Sequence, residues 1–223
     1  MTGAPRVHLR VADSTNERAR RLAVAGAPHG TLVTADEQSA GRGRQGRDWT
    51  APPRSAVLMS LVLRRFGEAL PLAAAVAVCE ALPPPCAIKW PNDVWIDRRK
   101  VAGILVEANP QAGWAVLGVG LNVSTRAFAP PLDETATSLT LNGIEATTEE
   151  ALGWLLDALD GWLPRPTTEV LAAWRERDAL RGEEVRWPDG SGVAMGVDET
   201  GALLVDTVTG RVALGAGEVH LLS

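Results

Sequence analysis

The run AIKWPNDVWIDRRKVAGILVE, residues 87–107, decides how the chain is read. Two apolar runs, VWID and KVAGILVE, flank a charged turn at Arg98-Arg99, which is the pattern of a β-hairpin. The same stretch holds Lys89 and Lys100, the only 2 lysines in the chain; the other 20 of its 22 basic residues are arginine. Arginine carries a flat, weakly hydrated fork, whereas lysine is a compact charge on a flexible stem. Two lysines kept eleven residues apart point to a place where a planar fork does not fit. Chance, or a structural ion pair, is the competing explanation.

Working outward, WAVLGVGLNV (114–123) reads as a further strand with a glycine-bearing end. Upstream, residues 7–11, 31–37 and 56–64 read as strands, and 69–82 as a helix. Ser14 and Glu17 fit a capping box that starts a helix ending near Gly26. Thr147 and Glu150 fit a second, ahead of a helix to 163 with Leu152, Leu155, Leu156, Leu159 and Trp162 on one face. Another helix is expected over Thr168–Leu180, and 124–142 shows no period. After Gly182 short apolar runs alternate with turns at Asp189-Gly190, Thr200-Gly201 and Thr209-Gly210, the texture of a small barrel of four or five strands. So short a barrel has little core of its own and should pack on the rest. The expected division is 1–181 and 182–223.

At 223 residues, 46% hydrophobic and 22% charged, the chain suits one large domain or one domain plus a small one. A net charge of −5 argues against wholesale nucleic-acid binding. Cys79 and Cys86 lie in apolar surroundings without metal-ligand spacing and read as reduced thiols of a cytoplasmic protein. MTGAPRVHLR has no apolar signal core, and the most apolar run, 70–82, is too short to span a bilayer. No membrane association is expected.

GRGRQGR, residues 41–47, is the strongest local signal: 3 arginines and no acid in 7 positions. Its glycines allow close approach of a ligand to the main chain. Backbone N–H groups beside guanidinium forks suit phosphate oxygens. A solvated turn, or an arginine–glycine segment gripping single-stranded nucleic acid, would share the composition. The loop is no P-loop, since no Lys-Ser or Lys-Thr follows it, and like charges should make it mobile without a ligand. His8, His29 and His220 have no paired spacing, and neither a nucleophile elbow nor a zinc motif occurs. A ligase or transferase acting on a phosphate ester fits better.

Taken together, DSTN, DEQSAGRGRQGRDW, KWPNDVWIDRRKVAGILVE and GVGLNV, in this order from Ser14 to Val123, closely resemble the biotin protein ligases. The resemblance implies an α+β fold: a mixed sheet flanked by helices, related to class II aminoacyl-tRNA synthetases, with a C-terminal SH3-like barrel. It implies that biotin and Mg-ATP form biotinyl-5′-AMP and pyrophosphate, and that the anhydride then acylates a lysine of a biotin carboxyl carrier protein. Ser14, Thr15, Asn16, Gln38, Gly41, Arg42 and Gly103 would hold biotin. Lys100, near the biotin carboxylate and the α-phosphate, would be catalytic together with Arg42 and Arg44. Gly43, Arg44, Arg47, Trp49, Lys89, Asn92, Asp93 and Asn122 would serve ATP, and Asp93 would hold Mg²⁺. Lys89 either lines that pocket or pairs with Asp93. Ser14 and Thr15 read equally as an ordinary helix cap. Trp90, Trp95 and Trp114 could wall a slot for biotin, with core the favoured place for Trp95 and Trp114. The stretch holding Arg126, Phe128, Pro130 and Pro131 is expected to order over the adenylate.

Only 13 residues precede Ser14, so a DNA-binding domain, and with it transcriptional control, is not expected. The sequence leaves open whether the chain is a monomer or a homodimer. A lipoate or octanoate ligase of related fold, and a nucleic-acid binder using the arginine loop, are the rival readings.

Overall fold

A computed structural model describes residues 2–83, 85–215 and 217–222. Met1 and Ser223, the outer ends of the two expected domains, lie outside them. Seven strands form one sheet in the order β1-β2-β3-β7-β6-β5-β4. They are β1 (Arg6–Leu9), β2 (Leu32–Ala35), β3 (Ala56–Leu63), β4 (Ala87–Lys89), β5 (Asp93–Ile96), β6 (Arg99–Asn109) and β7 (Trp114–Asn122). Only β1 and β2 run parallel; the remaining pairs are antiparallel.

Every residue of β3 is buried, as its apolar run, broken only by Ser60, demands of a central strand covered on both faces. α1 (Thr15–Val24) packs on one face through Ala19 and Ala23, against Val33, Val62 and Val116. α2 (Leu70–Ala81) is apolar on every side over Leu72–Cys79 and is buried there, with Pro71 and Glu80 exposed near its ends. It lies between the sheet and two further helices, α4 (Thr148–Trp162) and α5 (Thr167–Glu176). A one-turn α3 (Leu132–Thr135) interrupts the aperiodic stretch.

The deciding stretch forms three strands rather than two, because IK ahead of WPND pairs with β5 as the short β4. The turn sits one residue earlier than expected. Asp97 and Arg98 take φ of 48° and 61°, the left-handed pair whose twist matches a two-residue hairpin. The Thr147–Glu150 capping box forms. The Ser14–Glu17 box does not: Ser14 is the N-cap but its side chain makes no cap bond. Glu17 turns instead to Arg20, at 2.7 Å, and Arg21, at 2.9 Å. α5 stops at Glu176, short of Leu180, because the following backbone pairs with β4: Ile88 N–H donates to Arg177 O and Ala179 N–H to Ile88 O.

The remaining strands, β8 (Glu184–Trp187), β9 (Gly190–Val197), β10 (Leu203–Thr207), β11 (Gly210–Leu214) and β12 (His220–Leu221), form an antiparallel sheet in the order β11-β10-β9-β8-β12. Val185, Ala194, Leu203 and Val205 join the same apolar core as Ala77 and Leu117. Trp90 Nε1, just after β4, donates to Gly201 O in the β9–β10 turn at 3.0 Å, and Arg175 of α5 donates to Val197 O of β9 at 3.0 Å, fastening the small sheet to the rest.

Register explains the site. Strand side chains alternate faces, and the pairs Ser60–Gly118–Leu105 and Leu58–Gly120–Gly103–Asp93 put these residues on one face of the large sheet. By that alternation Lys100 would point to the other face. A bulge intervenes: Val94 pairs with Ala102 but Trp95 with Lys100, leaving Val101 as the extra residue. The bulge re-aims Lys100 to the face of Gly103 and Asp93.

Candidate active site

A cavity of about 580 Å³ opens on that face, a volume suited to a small-molecule ligand. It is walled by α1, the arginine loop, β3, β5, β6, β7, the segment around Phe128 and Leu132, Glu218 just ahead of β12, and His220 and Leu221 of β12. Of the expected site residues, Ser14, Thr15, Asn16, Gln38, Arg42, Gly43, Arg44, Arg47, Trp49, Lys89, Asn92, Asp93, Lys100, Gly103 and Asn122 all line it. Gly41 lies behind the wall, where a Cβ would stand 2.7 Å from Gln38 Nε2 and 2.3 Å from Trp49 O.

One end is neutral and buried. Thr15 donates to Gln38 Oε1 from both its backbone N–H, at 2.7 Å, and its hydroxyl, at 3.1 Å. Ser60, fully buried on β3, places its hydroxyl 2.9 Å from Thr15 Oγ1 and 2.7 Å from Asn16 Oδ1. Asn16 Nδ2 donates to Glu107 Oε2 at 2.9 Å. Asn16 fits here because residue 118 is glycine: a Cβ there would lie 2.0 Å from its Oδ1. Gly120 and Gly103 do the same for Trp49, whose indole atoms stand 2.4 and 2.9 Å from the Cβ positions those residues lack. The indole forms the floor of the cavity's middle.

The other end is charged. Lys100 Nζ sits 2.7 Å from Asp93 Oδ1 and 5.5 Å from the centre of the Trp49 ring. Lys89 lines the wall 5.6 Å from Trp95. Asp93 gives its ion pair to Lys100 and acts on Lys89 only from further off. Burial pushes the Lys89 ammonium below the ordinary lysine range; Asp93 and Glu218 oppose that shift, while Lys100 and Arg47 add to it. Burial, and then the neighbouring Arg47, likewise lower Arg44. Arg47 is ion-paired with Glu218, two residues ahead of β12.

The arginine loop is a tight hairpin. Gly43 N–H donates to Arg47 O at 2.7 Å and Trp49 N–H to Gly41 O at 2.9 Å. The N–H groups of Gly43, Arg47 and Trp49 are therefore committed within the loop, and Arg42, Arg44 and Arg47 line the cavity as guanidinium donors for a ligand. Gln45 holds φ 54° at its tip. Asn92 Nδ2 is bonded to Ile104 O at 2.9 Å, and Asn122 Nδ2 to Thr137 O at 3.0 Å, so both amides brace the wall. The stretch after Val123 is anchored at its two ends: Ser124 N–H donates to Ser55 O, and Thr137 N–H to Lys100 O. Phe128 and Leu132 face the cavity between these anchors. Trp114 is core, as expected. Trp95 is on the cavity wall instead, because it shares its face of β5 with Asp93. Trp90 is buried against the small sheet and walls no slot.

Sequence reading missed Ser60, Glu107 and Glu218. Ser60 is the lone hydroxyl in AVLMSLVL, and a polar residue inside a fully buried strand is a signal. Glu107 stands at an even spacing from Gly103, on its face. Glu218 carries no local mark.

The pattern that defines the biotin/lipoate A/B protein ligase family matches residues 8–124. The chain belongs to that family. It is 36% identical to a biotin–[acetyl-CoA-carboxylase] ligase of Paracoccus denitrificans, over 93% of this chain and 96% of the relative. A ligase of the same description from Mycobacterium tuberculosis is also 36% identical, over 93% of this chain and 86% of its own. The biotin protein ligase of Aquifex aeolicus, solved in complex with biotin and ATP, superimposes with a TM-score of 0.81 at 28% identity, covering 98% of both chains. The two-sheet architecture is thus the biotin ligase catalytic fold followed by a small antiparallel sheet of the SH3-like kind.

Proposed function

We propose that this chain is an ATP-dependent biotin protein ligase that modifies the biotin carboxyl carrier domain of an acetyl-CoA carboxylase. One observation carries the reading: a single cavity has a neutral, prearranged hydrogen-bonding end and a cationic end, with Lys100 between them. The neutral end, Ser14, Thr15, Asn16 and Gln38, suits the ureido head of biotin. The cationic end, Arg44, Arg47 and Lys89, suits a triphosphate.

In the first half-reaction a biotin carboxylate oxygen attacks the α-phosphorus, the bond to the bridging oxygen breaks, and pyrophosphate leaves with the electron pair. Two anions must approach, so catalysis is positioning plus preorganised positive charge. Lys100 supplies that charge at a point hemmed in by Trp49, Gly103 and Asp93, where a planar fork has no room. In the second, the neutral amine of the carrier lysine attacks the carbonyl carbon. AMP departs, and the amine proton passes to solvent.

Among the described residues no group of three or more His, Cys, Asp and Glu could hold a metal ion. That suits Mg²⁺, which is commonly held by one or two carboxylates and by substrate phosphates. Asp93 would be the protein ligand, and the ion would draw charge from the phosphates. The remaining parts of the reading are a division near residues 181 and 182, a cytoplasmic setting and no role for DNA.

Mixing the protein with ATP, Mg²⁺ and biotin should yield biotinyl-AMP by mass spectrometry. Pyrophosphate exchange with biotin, lipoate and octanoate tests the substrate; exchange with lipoate and none with biotin overturns the proposal.

A further inference from the structure

We infer that Glu107, the last residue of the stretch that decides the fold, is a positioning residue that ties the head end of the cavity to the arginine loop. The inference rests on the biotin reading of that cavity. Glu107 pairs with Val116 in the register that places it on the face of Gly103 and Leu105, at the rim beyond them. Each of its carboxylate oxygens meets a different region. Oε2 accepts from Asn16 Nδ2 at 2.9 Å, and Oε1 lies 3.6 Å from Arg42 Nη1.

The first contact sets an orientation. A carboxylate only accepts hydrogen bonds, so the Asn16 amide must turn its NH₂ outward to Glu107 and its oxygen inward. The inward oxygen lies against the place a Gly118 Cβ would fill and 2.7 Å from the Ser60 hydroxyl. Ser60 then gives its one hydroxyl hydrogen to Asn16 and offers a lone pair to the Thr15 hydroxyl, 2.9 Å away, while the Thr15 backbone N–H holds Gln38 Oε1. Glu107 thereby fixes donor and acceptor directions through Asn16 and Ser60, and Ser60 carries the arrangement to the edge of Thr15, residues that need one arrangement to read a ureido group.

The second contact sets a place. Arg42 opens the loop hairpin and lies between Glu107 and Glu17, the latter at 3.9 Å. Glu17 is already engaged by Arg20 and Arg21, which leaves Glu107 as the nearer and freer anchor for the loop. Occupation of the head end and closure of the loop therefore share one side chain.

Two substitutions separate the contacts. In Glu107→Gln the side-chain carbonyl still accepts from Asn16 but the charge facing Arg42 is gone. Biotin affinity should stay within about 2-fold, while release of biotinyl-AMP, timed without a carrier, should quicken about 2- to 5-fold. Glu107→Ala should do that and also weaken biotin on the order of 10-fold, the effect of a lost bond to a charged acceptor. Melting curves accompany both; should the alanine variant fail to fold, the near-isosteric glutamine variant still decides through its release rate. The inference is overturned if Glu107→Gln releases the adenylate at the wild-type rate, or if it weakens biotin as much as Glu107→Ala does. Wild-type protein is assayed first: failure to form biotinyl-AMP sinks the functional reading, whereas an active wild type with indifferent Glu107 variants removes only this inference.

Discussion

The two ends of the cavity are built on opposite plans. At the head end Thr15, Asn16, Gln38 and Ser60 satisfy one another through short hydrogen bonds and carry no net charge. At the phosphate end Arg44, Arg47, Lys89 and Lys100 face Asp93 and Glu218. Six cationic side chains and three carboxylates line the cavity as a whole. The head end is complete before any ligand arrives, and a mispaired group there meets the cost of an unsatisfied buried donor or acceptor. The phosphate end is neutralised in part by the protein's own carboxylates, of which Glu218 occupies Arg47 and must give way to an incoming triphosphate. Selectivity thus belongs to the rigid end, and the chemistry to the end whose partners exchange.

Substitution of Lys100 should divide the ends most sharply. Lys100→Ala removes the charge at the junction and leaves Asp93 without its 2.7 Å partner, adding a bare anion where two anions must meet. Adenylate formation should fall about 10²- to 10³-fold, the usual loss for one preorganised group. Biotin affinity should change by less than about 5-fold, since no head-end bond uses Lys100. Single-turnover formation of biotinyl-AMP and equilibrium biotin binding measure the two; equal losses would contradict the division. Lys100→Arg should restore little, because the fork must share a space already held by Trp49 and Asp93.

The converse experiment adds one methyl at the head end. A Cβ at Gly118 would stand 2.0 Å from Asn16 Oδ1 and 2.9 Å from its Cγ. Asn16 is itself held by Glu107, so the strain cannot be relieved by a free rotation. Overpacking of this kind costs about 1–3 kcal/mol. Gly118→Ala should therefore weaken biotin roughly 10- to 100-fold with ATP affinity little altered. A loss shared equally with ATP would show the two ends to be one unit.

Much of this division can be read in the chain itself. The hairpin, the glycines at 103, 118 and 120, and the arginine loop are local patterns; alternation puts Gly118 and Gly120 on one face, and only the register of β6 with β7 adds Gly103 to it. The direction of Lys100 was not legible. Alternation from Gly103 sends it away from the cavity, and only the bulge at Val101, a property of pairing with β5, turns it back. The same limit hid β4, too short to carry a period, and the end of α5, fixed by backbone bonds to Ile88. The Ser14–Glu17 box failed because two arginines one turn on compete for Glu17. Glu218 reaches the site from the connection ahead of β12, a placement set by how the two sheets pack.

Glu218 supplies the gentlest test of the exchangeable end. It is ion-paired with Arg47 and stands among the charges that act on the buried Lys89. A phosphate oxygen seeking Arg47 must displace it and meets its repulsion while doing so. Arg47 is about half exposed, with a side-chain accessibility of 48%, so the pair is screened and modest in strength. Glu218→Gln keeps the shape and removes the charge. The KM for ATP should fall about 2- to 5-fold, with the biotin KM unmoved, and the difference from wild type should shrink as salt is raised. A rise in the ATP KM would reverse the argument. Glu218 would then serve the bound nucleotide and would be, like Asp93, part of the site that holds ATP rather than a group that ATP replaces.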